Sequence, residues 1–262
     1  MNKILLRILV LFVLSLTSCT VKESIVFNED GSGNFLLTYD MASAMEQMKV
    51  AMGGEDSTDS TEEKKSKVID TMMVFSEIME TFKDSVAALP EDKRLALEAV
   101  KDMYMKMKMD EGTGVFDFGI GLNFKSISDL KGIQEKIEKA KSLNAQNDQV
   151  SAMKTGSPLG KFMLDEKNDV EYVFTDSSFS RKTSVSDAEE EITFEESDNE
   201  FIEYFNSAYY IVEYTFPKKI KSFSVEGAEL SGDKKTITYK VRWLDFIKKP
   251  KILDFDVKFV NE

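Results

Sequence analysis

The side chains in this sequence that can react or ligate are few in kind and unevenly placed. Cys19 is the only cysteine, so a thiol is available to carry a covalent group but no disulfide can form within the chain. Histidine is absent, which removes every Ser-His-Asp and Cys-His arrangement and the usual histidine-containing zinc sites. Soft sulfur is abundant instead. Met103, Met105, Met107 and Met109 recur at every second residue, and Met41, Met45, Met48 and Met52 recur at spacings of four, three and four. Thioethers suit Cu(I), which makes Met103, Met105, Met107 and Met109, on one strand face, a candidate cuprous site. The same residue type is a pliant core filler, and Phe, Val and Ile hold equivalent places in neighbouring stripes. Carboxylates number 47, enough to supply the two that hydrolysis of the glycosidase kind requires about 5–10 Å apart. No spacing singles out such a pair.

Cys19 draws its interest from what precedes it. Lys3 and Arg7 give a positive start, Ile8 to Leu16 is apolar apart from Ser15, and Leu16-Thr17-Ser18 leads into the cysteine. That order is the order of a secretory signal, and the apolar run falls well short of the roughly 20 residues that span a bilayer. Leu16-Thr17-Ser18-Cys19 resembles the lipobox of bacterial lipoproteins. The resemblance implies that residues 1–18 are a signal peptide and that Cys19 receives diacylglycerol and becomes the mature N-terminus. Several acyl chains on one residue would meet the requirement for stable membrane attachment. Thr20-Val21 lacks the aspartate associated with inner-membrane retention, which resembles sorting to the outer membrane. Lys22-Glu23 matches a fragment of the charged signal of surface-exposed lipoproteins of the Bacteroidota and leaves the leaflet open.

Cleavage before Cys19 leaves 244 residues, 19–262, and takes away Lys3 and Arg7, so the net charge moves from −13 to −15. Such a balance argues against nucleic acid as a partner. It also argues against electrostatic docking to anionic lipid, leaving attachment to the acyl chains. Four prolines and 13 glycines favour long regular elements, and apolar content is ample for one core. The expectation is a single α+β domain over 19–262.

Period then assigns the elements. Residues 21–28 and 34–40 are β-rich and flank Asn28-Glu29-Asp30-Gly31-Ser32-Gly33, a turn sequence; the cluster lacks the spacing and terminal glutamate of an EF-hand calcium loop. The methionine stripe Met41–Met52, a polar acidic loop over Gly53–Glu63, a second stripe (Val68, Met72, Phe75, Met79, Phe82, Val86) and a helix opened by Pro90 with Leu97 and Val100 inward predict a helical insertion over 41–102. Met103–Met109 and Phe116–Phe124 alternate with period two around Glu111-Gly112-Thr113-Gly114, predicting a second hairpin. Ser126 with Asp129 forms a capping-box pattern, followed by the helical stripe Leu130, Ile133, Ile137 and Ala140. Residues 143–160 are polar and irregular. Val170–Thr175 and Phe179–Val185 predict another hairpin, Asp187–Glu200 a solvated acidic stretch, and Ser197 with Glu200 a cap for a short helix through Phe205. The β-rich part 208–262 holds strands at Ala208–Phe216, at Phe223 and Val225, at Ile237–Trp243 and at Leu253–Phe259. Together these predict an antiparallel β-sheet built of hairpins and covered by amphipathic helices.

The lipobox, an immediate strand, Asn28-Glu29-Asp30-Gly31-Ser32-Gly33 and a second strand are similar to a lipoprotein group of the Bacteroidota, and the hairpin looks like that of the LppM-type lipoproteins. Phe116 to Leu130 and the Tyr214-Thr215-Phe216-Pro217 stretch add to the first resemblance. It implies fold class and envelope location and carries no catalytic residue across. The expected role is therefore non-enzymatic and cofactor-free: an adaptor or binding module for an envelope protein or an apolar ligand, with Cu(I) binding and carboxylate hydrolysis as the alternatives. A set of basic residues, Lys218, Lys219, Lys221, Lys248, Lys249 and Lys251, contrasts with the acidic middle.

Overall fold

Alternating apolar and polar residues, rather than helical stripes, organise most of the chain. The computed structural model describes residues 20–40, 42, 68–110, 112–143, 168–184, 199, 202 and 205–260. Its strands are β1 (Thr20–Phe27), β2 (Gly33–Asp40), β3 (Val68–Val74), β4 (Met103–Asp110), β5 (Val115–Phe124), β6 (Asp169–Phe174), β7 (Ser178–Ser184), β8 (Tyr209–Thr215), β9 (Ile220–Phe223), β10 (Glu229–Leu230), β11 (Thr236–Arg242) and β12 (Phe255–Phe259). The helices are α1 (Phe75–Thr81), α2 (Lys83–Ala87), α3 (Glu91–Ala99), α4 (Ile133–Leu143) and α5 (Trp243–Lys248). Single 3-10 turns cover Ile127–Leu130 and Pro250–Leu253. The fold is α+β, as its strand and helix patterns predict.

Two sheets form. One has eight strands in the order β10-β11-β8-β1-β2-β5-β4-β3, and the other has four in the order β6-β7-β12-β9. The hairpin expectation holds for β1–β2, β4–β5 and β6–β7, all antiparallel. It fails at the centre of the large sheet, where β1 and β8 run parallel, so that sheet is mixed. Hairpins alone would leave one edge of β1 unpaired, and an apolar edge is filled by whatever strand reaches it, here one from the far end of the chain.

The turn after β1 is a tight reversal, as expected. Gly31 sits at φ +81°, a conformation glycine adopts without steric cost. The Asp30 carboxylate accepts from Ser32 N at 3.0 Å and Ser32 Oγ at 2.6 Å, so it closes the turn from within. In the β4–β5 turn Asp110 does the same for Gly112 N at 2.9 Å. Ser126 and Asp129 complete the expected capping box, but it opens the 3-10 turn Ile127–Leu130 rather than a helix. Gly132, at φ +66°, then redirects the chain into α4, which buries Ile133, Ile137 and Ala140 as its stripe predicts.

Two elements differ from expectation. Val68 to Val74 is not the start of a helix but β3, paired with β4 along its whole length. Val68 and Met72, expected on an inward helical face, are 68% and 60% exposed. Val68, Ile69, Thr71 and Val74 are β-branched or valine-like strand formers, and the free edge of β4 supplies the hydrogen bonds that outweigh a marginal helical period. Trp243, expected on its strand, is instead the first residue of α5, buried against Tyr210 and Phe246. The predicted Met41–Met52 helix, the Gly53–Glu63 loop, nearly all of 143–160, and the acidic stretch with its Ser197/Glu200 cap lie outside the described residues, apart from scattered positions.

The small sheet, and not helices alone, covers the large one. Phe27 of β1 stacks on Phe174 of β6 at 4.4 Å between centroids and lies 5.6 Å from Phe179 of β7. Tyr214 of β8 stacks on Phe255 of β12 at 5.6 Å. Aromatic pairs of this kind each add about 0.5–1.5 kcal/mol beyond area burial. Helix α4 packs beside them, against α3 and β6.

On the outer face, β5 carries glycines where neighbouring backbone and rings come close. A Cβ at Gly121 would overlap the Tyr104 ring and lie 2.7 Å from the Phe35 carbonyl oxygen. Gly121→Ala is expected to destabilise the protein by about 1–3 kcal/mol, the usual cost of overpacking, read as a lower urea midpoint. Gly232→Ala, with nothing within 4 Å of the added methyl, is the matched control and is expected to leave the midpoint nearly unmoved.

Candidate functional site

Period two has a corollary for β1. Val21, Glu23, Ile25 and Phe27 share one face, while Lys22, Ser24 and Val26 share the other. Glu23 therefore enters in the apolar phase, and it is 1% exposed. In β7 the inward set is Phe179, Arg181 and Thr183, and Arg181 is 2% exposed. In β8 the inward set is Tyr210, Val212 and Tyr214, all buried. Packing the two sheets brings these charged and phenolic groups together.

Glu23 accepts every bond its carboxylate can hold. Tyr172 OH donates to Oε1 at 2.7 Å, Tyr210 OH to Oε2 at 2.8 Å, and Tyr214 OH also to Oε1. Arg181 adds Nη2 to Oε2 at 3.3 Å and Nε to Oε1 at 3.5 Å. The other side of the guanidinium is also occupied: Nη1 donates to Thr183 Oγ1 at 3.1 Å and to the Leu253 carbonyl at 3.5 Å, with Asp254 Oδ1 at 3.8 Å. Asp254 in turn accepts from Thr183 N at 2.8 Å. Gln134 of α4 is buried beside the Tyr172 hydroxyl, so helix and both sheets meet at one cluster.

Burial by itself pushes the Glu23 carboxyl up. The Arg181 charge, with the Tyr214 and Tyr172 hydroxyls, outweighs this and holds it below its ordinary 4.5. Burial and the neighbouring Glu23 charge push Tyr172 and Tyr214 well above the usual phenol range. Burial lowers Arg181, and Glu23 more than restores it. The cluster is thus one buried cation between the buried Glu23 and the more exposed Asp254, with neutral phenols around Glu23. No reacting atom is open to solvent, so what it does chemically is hold charge inside the sandwich.

The residues singled out by type and spacing lie elsewhere. Cys19 and residues 1–18 fall outside the described residues, and β1 begins at the next residue, Thr20. Met103, Met105, Met107 and Met109 do share one face of β4, with Met103 buried and the others half-buried. Their cross-strand neighbours are Leu122, Ile120, Phe118 and Phe116 on β5 and, for Met105, Met73 on β3. Of the carboxylates, Asp40 and Asp117 come together as direct partners on β2 and β5, beside Lys108 on β4. Burial and the Asp40 charge raise Asp117. The six lysines split: Lys218, Lys219 and Lys221 follow the end of β8, whereas Lys248, Lys249 and Lys251 follow the end of β11, which runs the other way. Among the described residues no group of three or more Cys, Asp and Glu is placed to hold a metal, and no helix is long and apolar enough to cross a membrane.

Sequence reasoning passed over the buried cluster itself. Glu23 stood out only as part of Lys22-Glu23, a fragment of a surface-export signal, whereas its charge is used in the interior. The signal that finds it is a charged residue in the apolar phase of a strand, and both Glu23 and Arg181 carry it.

Comparison with known proteins adds little. No protein-family model matches the chain, and no curated protein matches it. Among solved structures, the folded domain of the Mycobacterium tuberculosis LppM protein, determined by NMR, aligns over 92% of this chain and 89% of its own at 8% identity, with a TM-score of 0.31.

A carboxyl held lower in the folded chain than in the unfolded one adds stability that is complete above the unfolded value and fades as pH falls through the folded one. Glu23→Gln leaves Arg181 buried without its anion and is expected to cost about 3–5 kcal/mol at neutral pH. That deficit is expected to shrink below about pH 4.5 as the wild-type carboxyl takes up a proton. Urea titrations of both proteins across this range check it, and a deficit independent of pH defeats the assignment. Replacing both partners, Glu23→Leu with Arg181→Met, is expected to recover only the share due to the unpaired guanidinium, because the Tyr172, Tyr210 and Tyr214 hydroxyls then lose their acceptor.

Proposed function

We propose that this chain is a lipid-anchored protein of the bacterial envelope, held at the outer membrane through Cys19, that works without catalysis as an adaptor or binding module for a protein or an apolar ligand. The observation that carries this reading is the start of β1 at Thr20. The lipobox-like cysteine is joined to a central strand of the large sheet with no linker between them. Three residues further on, Glu23 is fixed between the sheets. A tether attached in this way holds one end of the sandwich against the bilayer and raises the domain's effective concentration for partners there.

The non-catalytic part of the reading draws on the same cluster. Among the described residues the titratable groups pushed furthest from their ordinary values, Arg181, Tyr172 and Tyr214, are buried around Glu23, whereas catalytic groups must face a substrate. The binding part draws on the excursion α1–α3 between β3 and β4, whose flanking residues Val74 and Met103 stand level with Ser24 and Ile25 of β1, farther along the sheet than Thr20. Phe82 and Leu95 on it are 58% and 63% exposed, offering apolar contacts away from the membrane. Among the described residues thioether-based Cu(I) binding gains only Met73 beside Met105, while Met107 faces Thr71 and Phe118, and Met109 faces Ile69 and Phe116.

Mass spectrometry of the N-terminal peptide from native membranes is expected to find Cys19 acylated; an unmodified thiol removes the anchor. Crosslinking in intact cells is expected to capture one dominant envelope protein that is lost with Cys19→Ala and weakened by Phe82→Ser with Leu95→Ser. An unchanged capture in the Cys19→Ala strain contradicts the adaptor role. Cu(I) titration is expected to give no saturable shift of the methionine methyl resonances, and a saturable one revives the copper alternative.

A further inference from the structure

The net charge of this chain opposes an anionic surface on average, but charges screen one another over about 8–10 Å, so the local arrangement at the tethered end decides. Register fixes that arrangement. Thr20 pairs with Tyr209 on β8, and Tyr209 pairs with Arg242 on β11. With strands about 4.8 Å apart, Arg242 lies two strand spacings from the residue that follows Cys19. Lys240 stands two residues back on the same face, its Nζ 3.6 Å above the Tyr209 ring. The chain then turns through α5 into the 3-10 turn Pro250–Leu253, which packs back on both β11 and α5. This carries Lys249 and Lys251 to the same end. Lys240, Arg242, Lys249 and Lys251 are all exposed.

The acidic groups nearby do not cancel them. Asp254 is turned to Arg181 and Thr183 N. Lys22 and Glu213 neutralise each other at 2.7 Å. Among the described residues Asp40 and Asp117 lie across β1, three and four strand spacings from Arg242, with Lys108 next to them. Asp245 in the first turn of α5 is the one exposed carboxylate within this stretch of β11 and its sequel. We infer that Lys240, Arg242, Lys249 and Lys251 form a membrane-facing basic surface that contacts anionic phospholipid headgroups beside the acyl anchor. The inference rests on the anchor at Cys19, which is what brings this end of the sandwich to the bilayer. Tethering removes most of the entropic cost of the encounter, so a modest patch suffices to set the domain's orientation.

The test uses the full-length protein purified from native membranes, the state of Cys19 read first by mass spectrometry, and mixed with vesicles of phosphatidylcholine alone or phosphatidylcholine with phosphatidylglycerol. Lysine acetylation is read by mass spectrometry. Labelling of Lys240, Lys249 and Lys251 is expected to fall several-fold in the anionic vesicles and to recover at high salt. Lys218, Lys219 and Lys221, at the far end, are expected to label equally in both. Arg242→Gln with Lys249→Gln is expected to weaken docking by about 25-fold, at about fivefold per basic residue, and to restore labelling of Lys240 and Lys251. Equal labelling in the two lipids overturns the inference, as does protection found in cells but in neither vesicle, which assigns the face to an acidic protein. Acylated Cys19 with unprotected lysines removes the surface and keeps the anchor; unacylated Cys19 with lysines protected only by anionic vesicles removes the anchor and keeps the surface.

Discussion

Between the two sheets of this protein lies one carboxylate that cannot reach water, and the geometry around it follows from keeping it charged. Glu23 gathers donors from β6, β7 and β8, and α4 packs on β6 beside it. An apolar interface of Phe27, Phe174, Phe179 and Phe216 holds the sheets together, and apolar contacts tolerate sliding. A carboxylate with five donors does not, because each displaced donor leaves a buried polar group unsatisfied at a cost of about 1–3 kcal/mol. The cluster thus selects one alignment of the sheets from the several that the aromatic rings would accept. Its net contribution to stability need not be large for this.

Hairpins were legible in the sequence because each depends on neighbours a few residues away. Gly31, Asp30 and Asp110 do their work within their own turns, and the period of β4 and β5 is read directly. What spacing could not disclose depends on distant partners. Val68 to Val74 carries a passable helical stripe, and only the vacant edge of β4 makes it a strand. Parallel pairing of β1 with β8 leaves no local trace at all. Trp243 sits in phase with Ile237, Tyr239 and Val241, yet the strand ends one residue before it and the ring packs from a helix instead.

The site was legible in part. Glu23 and Arg181 each interrupt the apolar phase of a strand, which marks them as interior, but nothing in either strand says that they meet. Methionine drew attention through its number, and the structure gives the β4 set ordinary cross-strand company. The basic residues were visible as a group, while their division between opposite ends of the sheet needed the strand directions. Composition gives only an average negative charge; the strand directions set Lys248, Lys249 and Lys251 at one end and Lys218, Lys219 and Lys221 at the other.

The central hydrogen bonds also span nearly the whole chain. Glu23 is bonded to Tyr172, Tyr210 and Tyr214, at separations of 149, 187 and 191 residues. Contacts that close such long loops form late. A polypeptide threaded N-terminus first through a translocation channel would deliver β1 long before β8 exists on the same side. In that case the leading strand would have no permanent partner on one edge and no neutralising cation until most of the molecule had crossed. The large sheet is completed around β1 only when β8, in the last third of the chain, reaches it.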